Sequence, residues 1–335
     1  MTSRERVCRS MHFKNPDRIP VQYYYCPVGY YEHGDKLNDL YAGLKGDFAP
    51  IVRVKPPAPP ASDFDAEGKY HAFKKDEWGV LWEYRIYGVT GIPKEYPLAD
   101  PDRIASFTTP PLPAIVPPPA QISGNSFYRL EGCGSLYERM IALRPEADVL
   151  CDIISDEPYI HKLADSIIGY DAALVERAIA SGADGIAFGD DYGTERAMLM
   201  SPALWRSFFK PLLSALFKPA VEAGLDIHFH SCGYIWDILS DFAEIGITSI
   251  WPQLPIYDMG CLAARCRELR LAVAIHTDRA RTMTYGSPSD VRELVLRECE
   301  TFKLHDGGGW FYIEADNGFP FANLAALVNT IKEIR

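Results

Sequence analysis

Apolar and polar positions alternate regularly over the last two thirds of the chain. After residue 125, short apolar runs typical of buried strands alternate with longer stretches whose apolar residues recur at helical spacing. The predicted strands are 127–131, 184–188, 225–230, 248–251, 270–275 and 309–314, and the predicted helices lie near 135–143, 158–181, 202–223, 234–244, 259–268, 288–303 and 321–334. Gly182, Gly224 and Gly246 follow three of these helices, as helix-ending glycines do. Strands and helices that alternate over short connections predict a parallel sheet.

The first 125 residues follow a different pattern, rich in tyrosine and proline. Short strands are predicted at 18–25, at 51–55 and within 78–89, and the proline-rich segment 108–121 is predicted to be an extended connector. The first two of these strands would bring the parallel set to eight. We therefore expect an α/β fold, a (β/α)₈ TIM barrel in which residues 1–125 form an N-terminal elaboration and 126–335 the regular βα units. An open doubly wound sheet is the alternative, but its first βα turn would carry a glycine-rich dinucleotide fingerprint, which is missing here.

Composition and charge narrow the class of protein. The 335 residues are 47% hydrophobic and 24% charged, as in folded soluble proteins. No segment approaches 18 uncharged apolar residues, and the first ten residues carry charges where a signal peptide has its apolar core, so neither a membrane span nor secretion is expected. A net charge of −11 without a basic block argues against a nucleic-acid partner. Eight scattered cysteines are typical of reduced thiols in a cytoplasmic protein.

Reactive side chains follow nearly every predicted strand. In a barrel, the active site lies at the C-terminal ends of the strands. The residues at these positions are Glu131, Cys133, Asp190, Asp191, Tyr192, His228, His230, Cys232, Gln253, His276, Asp278, Arg279, Glu314 and Asp316. Any one of them, Asp278 and Asp316 above all, also fits a helix cap or a surface loop. Their recurrence favours one shared site at the mouth of the barrel.

A His-x-Cys pair is the sharpest local signal. Because a strand has a period of two, His228 and His230 point to one face, and Cys232 follows where the strand ends. Imidazole and thiolate are ligands that Zn²⁺ prefers, and a catalytic zinc ion keeps three protein ligands and one open position. So short a pattern also arises by chance, and a third ligand would have to come from another strand, with Glu314 and Asp316 as oxygen candidates.

The tyrosines at positions 23, 24, 25, 30 and 31 fit two interpretations. They form either a packed strand followed by a loop, or an apolar wall with hydroxyl groups over the active site, suited to a planar ligand. In the second interpretation, Tyr24 and Tyr30 contact the substrate.

Four stretches together resemble the uroporphyrinogen decarboxylase superfamily, and most closely its branch of cobalamin-linked and O-demethylase methyltransferases. They are TSRERVCRSMHFKNPDRIPV (2–21), GDDYGTERAMLMSPALWRSFFKP (189–211), HFHSCGYIWDILSDFAEIGITSIWPQ (228–253), and the closing units 276–295 and 307–328. The resemblance covers nearly the whole chain, more loosely from 25 to 125. It implies a single (β/α)₈ barrel domain over residues 1–335.

The resemblance also separates the branches of the superfamily. Uroporphyrinogen decarboxylases carry an Arg-Gln-Ala-Gly-Arg segment after the first strand, whereas this chain has YYYCPVGYYEHG (23–34), without arginine. Decarboxylation of a tetrapyrrole with eight carboxylates is therefore not expected. In the methyltransferases, the His-x-Cys pair binds zinc together with a later cysteine, but 313–320 holds none here. The resemblance thus implies a zinc site of His230, Cys232 and Asp316, with Glu314 as the other choice of third ligand.

The expected activity is transfer of a methyl group from a small-molecule donor, an aromatic methyl ether in the favoured case, to a corrinoid. The chain lacks an Asp-x-His-x-x-Gly corrinoid motif, so the corrinoid would be carried by a partner protein. The predicted catalytic residues are Asp190, Asp191 and Glu314, and the predicted substrate-binding residues are Tyr24, Tyr30, Tyr192, Gln253, His276, Asp278 and Arg279. Two alternatives stay open: a decarboxylase or lyase of a small acid that works with Arg279, Asp191 and Tyr192, and a non-catalytic barrel that binds a ligand. A homodimer is also left open.

Overall fold

The computed structural model describes residues 1–24, 26–49, 57–114 and 126–335. Within these ranges the strands are β1 (Val21–Tyr24), β2 (Ala72–Lys75), β3 (Leu81–Tyr84), β4 (Ile92–Glu95), β5 (Leu130–Gly132), β6 (Gly185–Gly189), β7 (Asp226–Ser231), β8 (Ser249–Pro252), β9 (Ala272–Ile275) and β10 (Gly309–Glu314). The helices are α1 (Ser3–Met11), α2 (Pro27–His33), α3 (Asp35–Ala42), α4 (Tyr137–Leu143), α5 (Glu146–Ile154), α6 (Pro158–Ser181), α7 (Pro202–Glu222), α8 (Leu239–Glu244), α9 (Met259–Leu269), α10 (Thr282–Tyr285), α11 (Pro288–Thr301) and α12 (Phe321–Ile334).

The chain divides into two compact units, each made of separated segments. The first unit comprises residues 1–58, 117–130 and 247–335, and the second comprises 59–116 and 131–246. The single domain over residues 1–335 stays a prediction. Among the described residues, no helix has the length and apolar character needed to span a membrane.

In the first unit, four parallel strands lie in the order β1-β10-β9-β8. Strand β10 is buried at every position because neighbours cover both of its faces, and its continuous apolar run reflects this. One side of the strands carries an apolar cluster of buried residues: Val7, Met11, Phe48, Tyr128, Ala272, Ala274, Trp310 and Tyr312. Each large side chain buried there contributes about 1.5–3 kcal/mol to folding.

A buried carboxylate ties together distant segments of the first unit. Asp47 is completely buried and accepts hydrogen bonds from the guanidinium groups of Arg6 (2.6 Å), Arg18 (2.9 Å) and Arg335 (2.7 Å). It also accepts a hydrogen bond from the backbone N–H of Val21, the first residue of β1. The start of β1 is thus fixed by ion pairs and a hydrogen bond of Asp47 as well as by packing.

In the second unit, the parallel strands lie in the order β7-β6-β5, and β2, β3 and β4 form a separate antiparallel sheet. Register pairs Gly185 with Asp226 at one end of β6 and Gly189 with His230 at the other. The core is aromatic, with ring centroids 4.7–6.3 Å apart among Tyr137, Phe188, Tyr192, Trp205, Phe209, Phe217, Phe229 and Phe242. Such offset and edge-to-face contacts add to the burial of the rings.

The fold is mixed α/β, and the part of the chain that the structure describes contains seven parallel strands, four in the first unit and three in the second. The predicted strand at 51–55 lies outside the described residues, as do Tyr25 and much of the predicted connector 108–121. A TIM-barrel-like arrangement agrees with these elements, whereas the complete eight-stranded barrel stays a prediction. All six strands and seven helices predicted after residue 125 are present, with the helix predicted at 234–244 shortened to a 3₁₀ turn and α8.

Candidate functional site

Three side chains that could bind a metal ion meet at the C-terminal ends of β6 and β7 in the second unit. The Nε2 atom of His230 lies 3.4 Å from Oδ1 of Asp191 and 3.5 Å from Sγ of Cys232. All three ligand atoms lie within 4.8 Å of one another, and no other such group occurs among the described residues. The side chains of His230 and Asp191 are 28% and 38% exposed, so a solute can reach them.

Two of the three separations between these atoms fit one tetrahedral ion. With metal–nitrogen and metal–oxygen bonds of about 2.0–2.1 Å and a metal–sulfur bond of about 2.3 Å, a tetrahedral site separates N from O by about 3.4 Å and N from S by about 3.6 Å. The two observed separations from His230 Nε2 agree with these values. One imidazole, one thiol and one carboxylate also form a donor set that suits Zn²⁺.

Strand register explains why these residues meet. Gly189 and His230 are partners in the β6–β7 ladder, so the residues that follow each strand leave the sheet side by side. A Cβ atom on Gly189 would lie 3.1 Å from the Cβ atom of His230, so the glycine leaves room for the imidazole. The backbone N–H of Cys232 donates to Oδ1 of Asp191 at 2.6 Å, which orients the carboxylate. A carboxylate oxygen has a second lone pair, so this bond does not prevent it from binding an ion.

Asp190, predicted as catalytic, serves as a helix cap in this structure. It is completely buried, and its carboxylate accepts hydrogen bonds from the N–H groups of Leu136 (3.1 Å) and Glu138 (2.9 Å) at the start of α4. It also accepts one from the hydroxyl of Tyr192 at 2.8 Å. Burial raises the pKa of Asp190 to about 7, against the effect of these donors.

Tyr192, predicted to bind substrate, lies in the aromatic core of the second unit. Its ring is completely buried against Tyr137, Phe209 and Phe229, and its hydroxyl donates to Asp190. A side chain without exposed surface offers nothing for a ligand to contact, so Tyr192 is a core residue and not the predicted substrate-binding one. The sequence could not separate the two cases, because a tyrosine at a strand end fits both.

Two further acidic residues near Asp190 and Asp191, Glu138 and Asp171, were not predicted. The carboxylate of Glu138 accepts the backbone N–H of Asp191, and burial, together with the charge of Asp191, raises its pKa to about 7. Burial and the charge of Asp190 raise the pKa of Asp171 to about 8. Both residues lie on helices, α4 and α6, and only the tertiary packing brings them to the strand ends.

The first unit holds a second group of predicted residues. Glu314, at the end of β10, is buried; burial and the charge of Asp316 raise its pKa to about 7, although it accepts hydrogen bonds from Cys26 and Tyr312. Nε2 of His276 lies 3.9 Å from Oε2 of Glu314. The ring of Tyr24, which is 41% exposed, packs parallel to that of Tyr312 with centroids 6.3 Å apart. Burial thus produces a carboxyl group there that keeps a proton near neutral pH.

The remaining predicted residues have structural contacts of their own. Asp278 accepts hydrogen bonds from the N–H groups of Ala280, Arg281 and Thr282, which makes it the loop-and-cap residue anticipated as an alternative. Asp316 pairs with the half-exposed Arg279 at 3.3 Å.

Tyr30 and Gln253 complete the predicted set. The hydroxyl of Tyr30 donates to Asn38 at 2.8 Å within the first unit. Gln253 is half-buried directly after β8 and precedes a short 3₁₀ turn. Their predicted substrate-binding roles stay predictions.

The structure therefore offers a different third metal donor from the one expected. Asp191 meets His230 and Cys232, whereas Asp316 pairs with Arg279 and Glu314 lies beside His276. Asp191 follows β6, the neighbour of β7 in the sheet, and the ladder between these strands determines which carboxylate comes close.

The fold, although not the sequence, is shared with a known protein. A methyltransferase from Methanosarcina mazei superimposes with a TM-score of 0.67 over 99% of both chains, at 15% sequence identity. At this identity the likeness shows a common fold and nothing finer. No protein-family model matches the sequence, and no curated protein matches it.

Two other solved structures overlap less well. An endo-β-1,4-xylanase of glycoside hydrolase family 10 from Gloeophyllum trabeum covers 95% of this chain and 97% of its own at a TM-score of 0.47 and 10% identity. A dihydropteroate synthase from Xanthomonas albilineans with 4-aminobenzoic acid covers 62% and 67% at a TM-score of 0.38 and 12% identity. Neither score is high enough to support an argument about function.

Proposed function

We propose that this protein is a methyltransferase that moves a methyl group from a small donor, an aromatic methyl ether, to the corrinoid of a partner protein. In this proposal Asp191, His230 and Cys232 hold a Zn²⁺ ion. The observation that carries it is the spacing of the three donor atoms, 3.4 Å and 3.5 Å from His230 Nε2. The fold shared with a methyltransferase from Methanosarcina mazei supports the reaction class.

The donor set suits activation of an ether oxygen. When bound, zinc would supply the Lewis acidity that polarises the carbon–oxygen bond to be broken. An aspartate oxygen is a harder ligand than a second thiolate, which favours this role over binding a thiolate nucleophile.

The chain's own residues hold the proposed metal ligands in position. The N–H of Cys232 aligns Asp191, and the N–H of Asp191 is in turn held by Glu138. Tyr24, His276 and Glu314 form a separate group in the first unit, and their contribution to substrate binding or proton transfer is part of the prediction.

The lyase alternative has less support. It depends on Tyr192, which is completely buried, and on Arg279, which already pairs with Asp316. The corrinoid partner follows from the proposed reaction, since the sequence carries no corrinoid-binding motif of its own.

Metal content is the first test. Protein purified without chelator should contain about one zinc ion per chain. Cys232→Ser should lose the ion and stay folded, because the aromatic core does not involve this residue. The matched control is Cys151→Ser, an exposed cysteine on α5 of the same unit, which should keep the ion.

Methyl transfer is the second test. Wild-type protein, free cob(I)alamin and a panel of methoxybenzoates should give methylcobalamin, followed by its visible absorption, and Cys232→Ser should not. Full methyl transfer by a wild-type protein without metal would overturn the zinc site, and metal binding without transfer to cobalamin would overturn the reaction.

A further inference from the structure

We infer that Gly193 and Gly233 form a backbone contact that sets the spacing of Asp191, His230 and Cys232 before any ion binds. The inference rests on the proposed metal site and adds two positioning residues that are not ligands. Gly193 lies two residues after Asp191 in the loop after β6, and Gly233 directly follows Cys232 in the loop after β7.

The two loops touch through their backbones. A Cβ atom on Gly233 would overlap the carbonyl oxygen of Gly193, and a Cβ atom on Gly193 would lie 2.7 Å from the carbonyl carbon of Gly233. Cβ atoms do not approach other atoms this closely, so a side chain at either position would push the loops apart. Gly233 also has a φ of +79°, in the left-handed region that favours glycine.

Hydrogen bonds extend the contact beyond the ends of the two strands. In order along the loops, Asp190 N–H donates to His230 O (3.0 Å), Tyr192 N–H to Ser231 Oγ (3.2 Å), Cys232 N–H to Asp191 Oδ1 (2.6 Å) and Tyr234 N–H to Thr194 O (2.7 Å). The glycine contact lies between the last two of these bonds. The β6–β7 pairing therefore continues through the donor residues rather than stopping before them.

This arrangement holds the donors in place without an ion. Cys232 is adjacent to Gly233 and Asp191 is two residues from Gly193, so separating the glycines would move sulfur and oxygen relative to each other. A metal site tolerates displacements of only about 0.5 Å, and donors already in place avoid the cost of ordering a loop on binding. The contact should therefore raise the affinity for a small tetrahedral ion.

The test compares zinc binding in two variants and two controls. Gly193→Ala and Gly233→Ala should fold, by circular dichroism, but bind zinc about tenfold or more weakly in competition with a chromophoric chelator. Gly224→Ala has the same left-handed strain, with φ of +76° and no atom within 4 Å, and Gly132→Ala also meets open space. Both controls should bind zinc as the wild type does.

The absorption of bound Co²⁺ and the amide hydrogen exchange of the metal-free wild type give two further readouts. Co²⁺ in place of zinc should lose part of its tetrahedral visible absorption in the two variants but not in the controls. In metal-free wild type, the amides of Cys232 and Tyr234 should already exchange slowly. This last measurement needs no variant, so fast exchange would overturn the contact even if the variants fail to fold.

The outcomes separate the two proposals. Two results would overturn the glycine contact as a positioning device. One is fast exchange of both amides in the metal-free wild type. The other is folded glycine variants that bind zinc with wild-type affinity and give an unchanged cobalt spectrum. A wild type that binds no zinc would overturn the proposed function; slow exchange of both amides would then show that the contact holds the loops on its own.

Discussion

The backbone N–H of Cys232 donates a 2.6 Å hydrogen bond to the side chain of Asp191, so that one candidate metal ligand orients another. The bond runs between the loops after β6 and β7. Asp191 therefore has two roles that can be tested separately. Its side chain accepts this hydrogen bond, and its negative charge faces the proposed metal ion.

Asp191→Asn should separate these two roles. The amide oxygen can still accept the N–H of Cys232, so the loops should stay in place, while zinc affinity should fall about tenfold or more because the ligand is neutral. Zinc competition measures the affinity, and exchange of the Cys232 amide measures the loop. Asp191→Ala is the comparison and should lose both roles. Unchanged zinc affinity in Asp191→Asn would remove Asp191 from the ligand set.

Tyr192→Phe should reduce stability without changing the site. It leaves the buried carboxyl of Asp190 without one hydrogen-bond donor, which should cost about 1–2 kcal/mol in the free energy of unfolding measured with urea. Zinc affinity should match the wild type. The control is Tyr285→Phe, whose ring is 84% exposed and whose change should not alter stability. Weaker ligand binding by a Tyr192→Phe protein of wild-type stability would restore the substrate-binding role.

Asp47→Asn should destabilise the first unit strongly. The buried carboxylate faces Arg6, Arg18 and Arg335, and its neutralisation removes the buried counter-charge from Arg6 and Arg335, whose side chains are 5% and 8% exposed, at about 3–5 kcal/mol. Asp17→Asn removes another partner of Arg6, but the Asp17 side chain is 38% exposed, so its effect should stay within about 0–1 kcal/mol. Urea unfolding of both variants provides the measurement. Equal losses would show that burial of Asp47 is not the deciding factor.

Glu298 should make stability fall as pH rises from 5 to 8. Burial raises its pKa from 4.5 to about 8, and the hydroxyl of Thr277 donates to its carboxyl at 2.8 Å. Since the unfolded chain releases this proton near pH 4.5 and the folded chain holds it to about pH 8, each pH unit between them costs the fold about 1.4 kcal/mol.

The matched comparison is with Glu300, an exposed carboxyl on the same helix. Glu298→Gln should make the decline in unfolding free energy between pH 5 and 8 shallower by about 1.4 kcal/mol per pH unit, while the raised pKa values of other buried carboxyls, such as Asp171, keep part of the decline. Glu300→Gln should retain the wild-type slope. A decline of the same slope in Glu298→Gln would assign the pH dependence to other groups.

The regular elements could be read from the sequence because their patterns are local. Helix α6 was predicted at 158–181 and occupies Pro158–Ser181, since Pro158 starts it and Gly182, with φ of +69°, ends it. Strand β10 was likewise predicted at its observed bounds from a buried apolar run. The antiparallel strands β2 and β4 were missed, because they are short and largely exposed, with little alternation to reveal them.

The candidate site was predicted only in part. The spacing indicated His228, His230 and Cys232 as ligand candidates, and the resemblance selected His230 and Cys232. Asp191 was predicted as a catalytic acid, and its place beside them depends on the β6–β7 register, which pairs Gly189 with His230. No local pattern contains that information. Tyr192 and Asp190 were predicted as site residues but are buried in the core. A strand-end residue that turns into the core has the same sequence pattern as one that faces a ligand.

The pairing of β1 with β10 has a consequence for how the molecule is made. The hydroxyl of Ser10 donates to the carbonyl of Gly309 across 299 positions of sequence, and Val21 pairs with Phe311. Closing so long a loop is slow, and during synthesis β1 emerges from the ribosome long before its partner exists. Until then the edge of β1 lacks its partner strand and the apolar face of α1 lacks Ala272, Ala274, Trp310 and Tyr312, so a nascent chain of this protein should depend on chaperones that bind this segment.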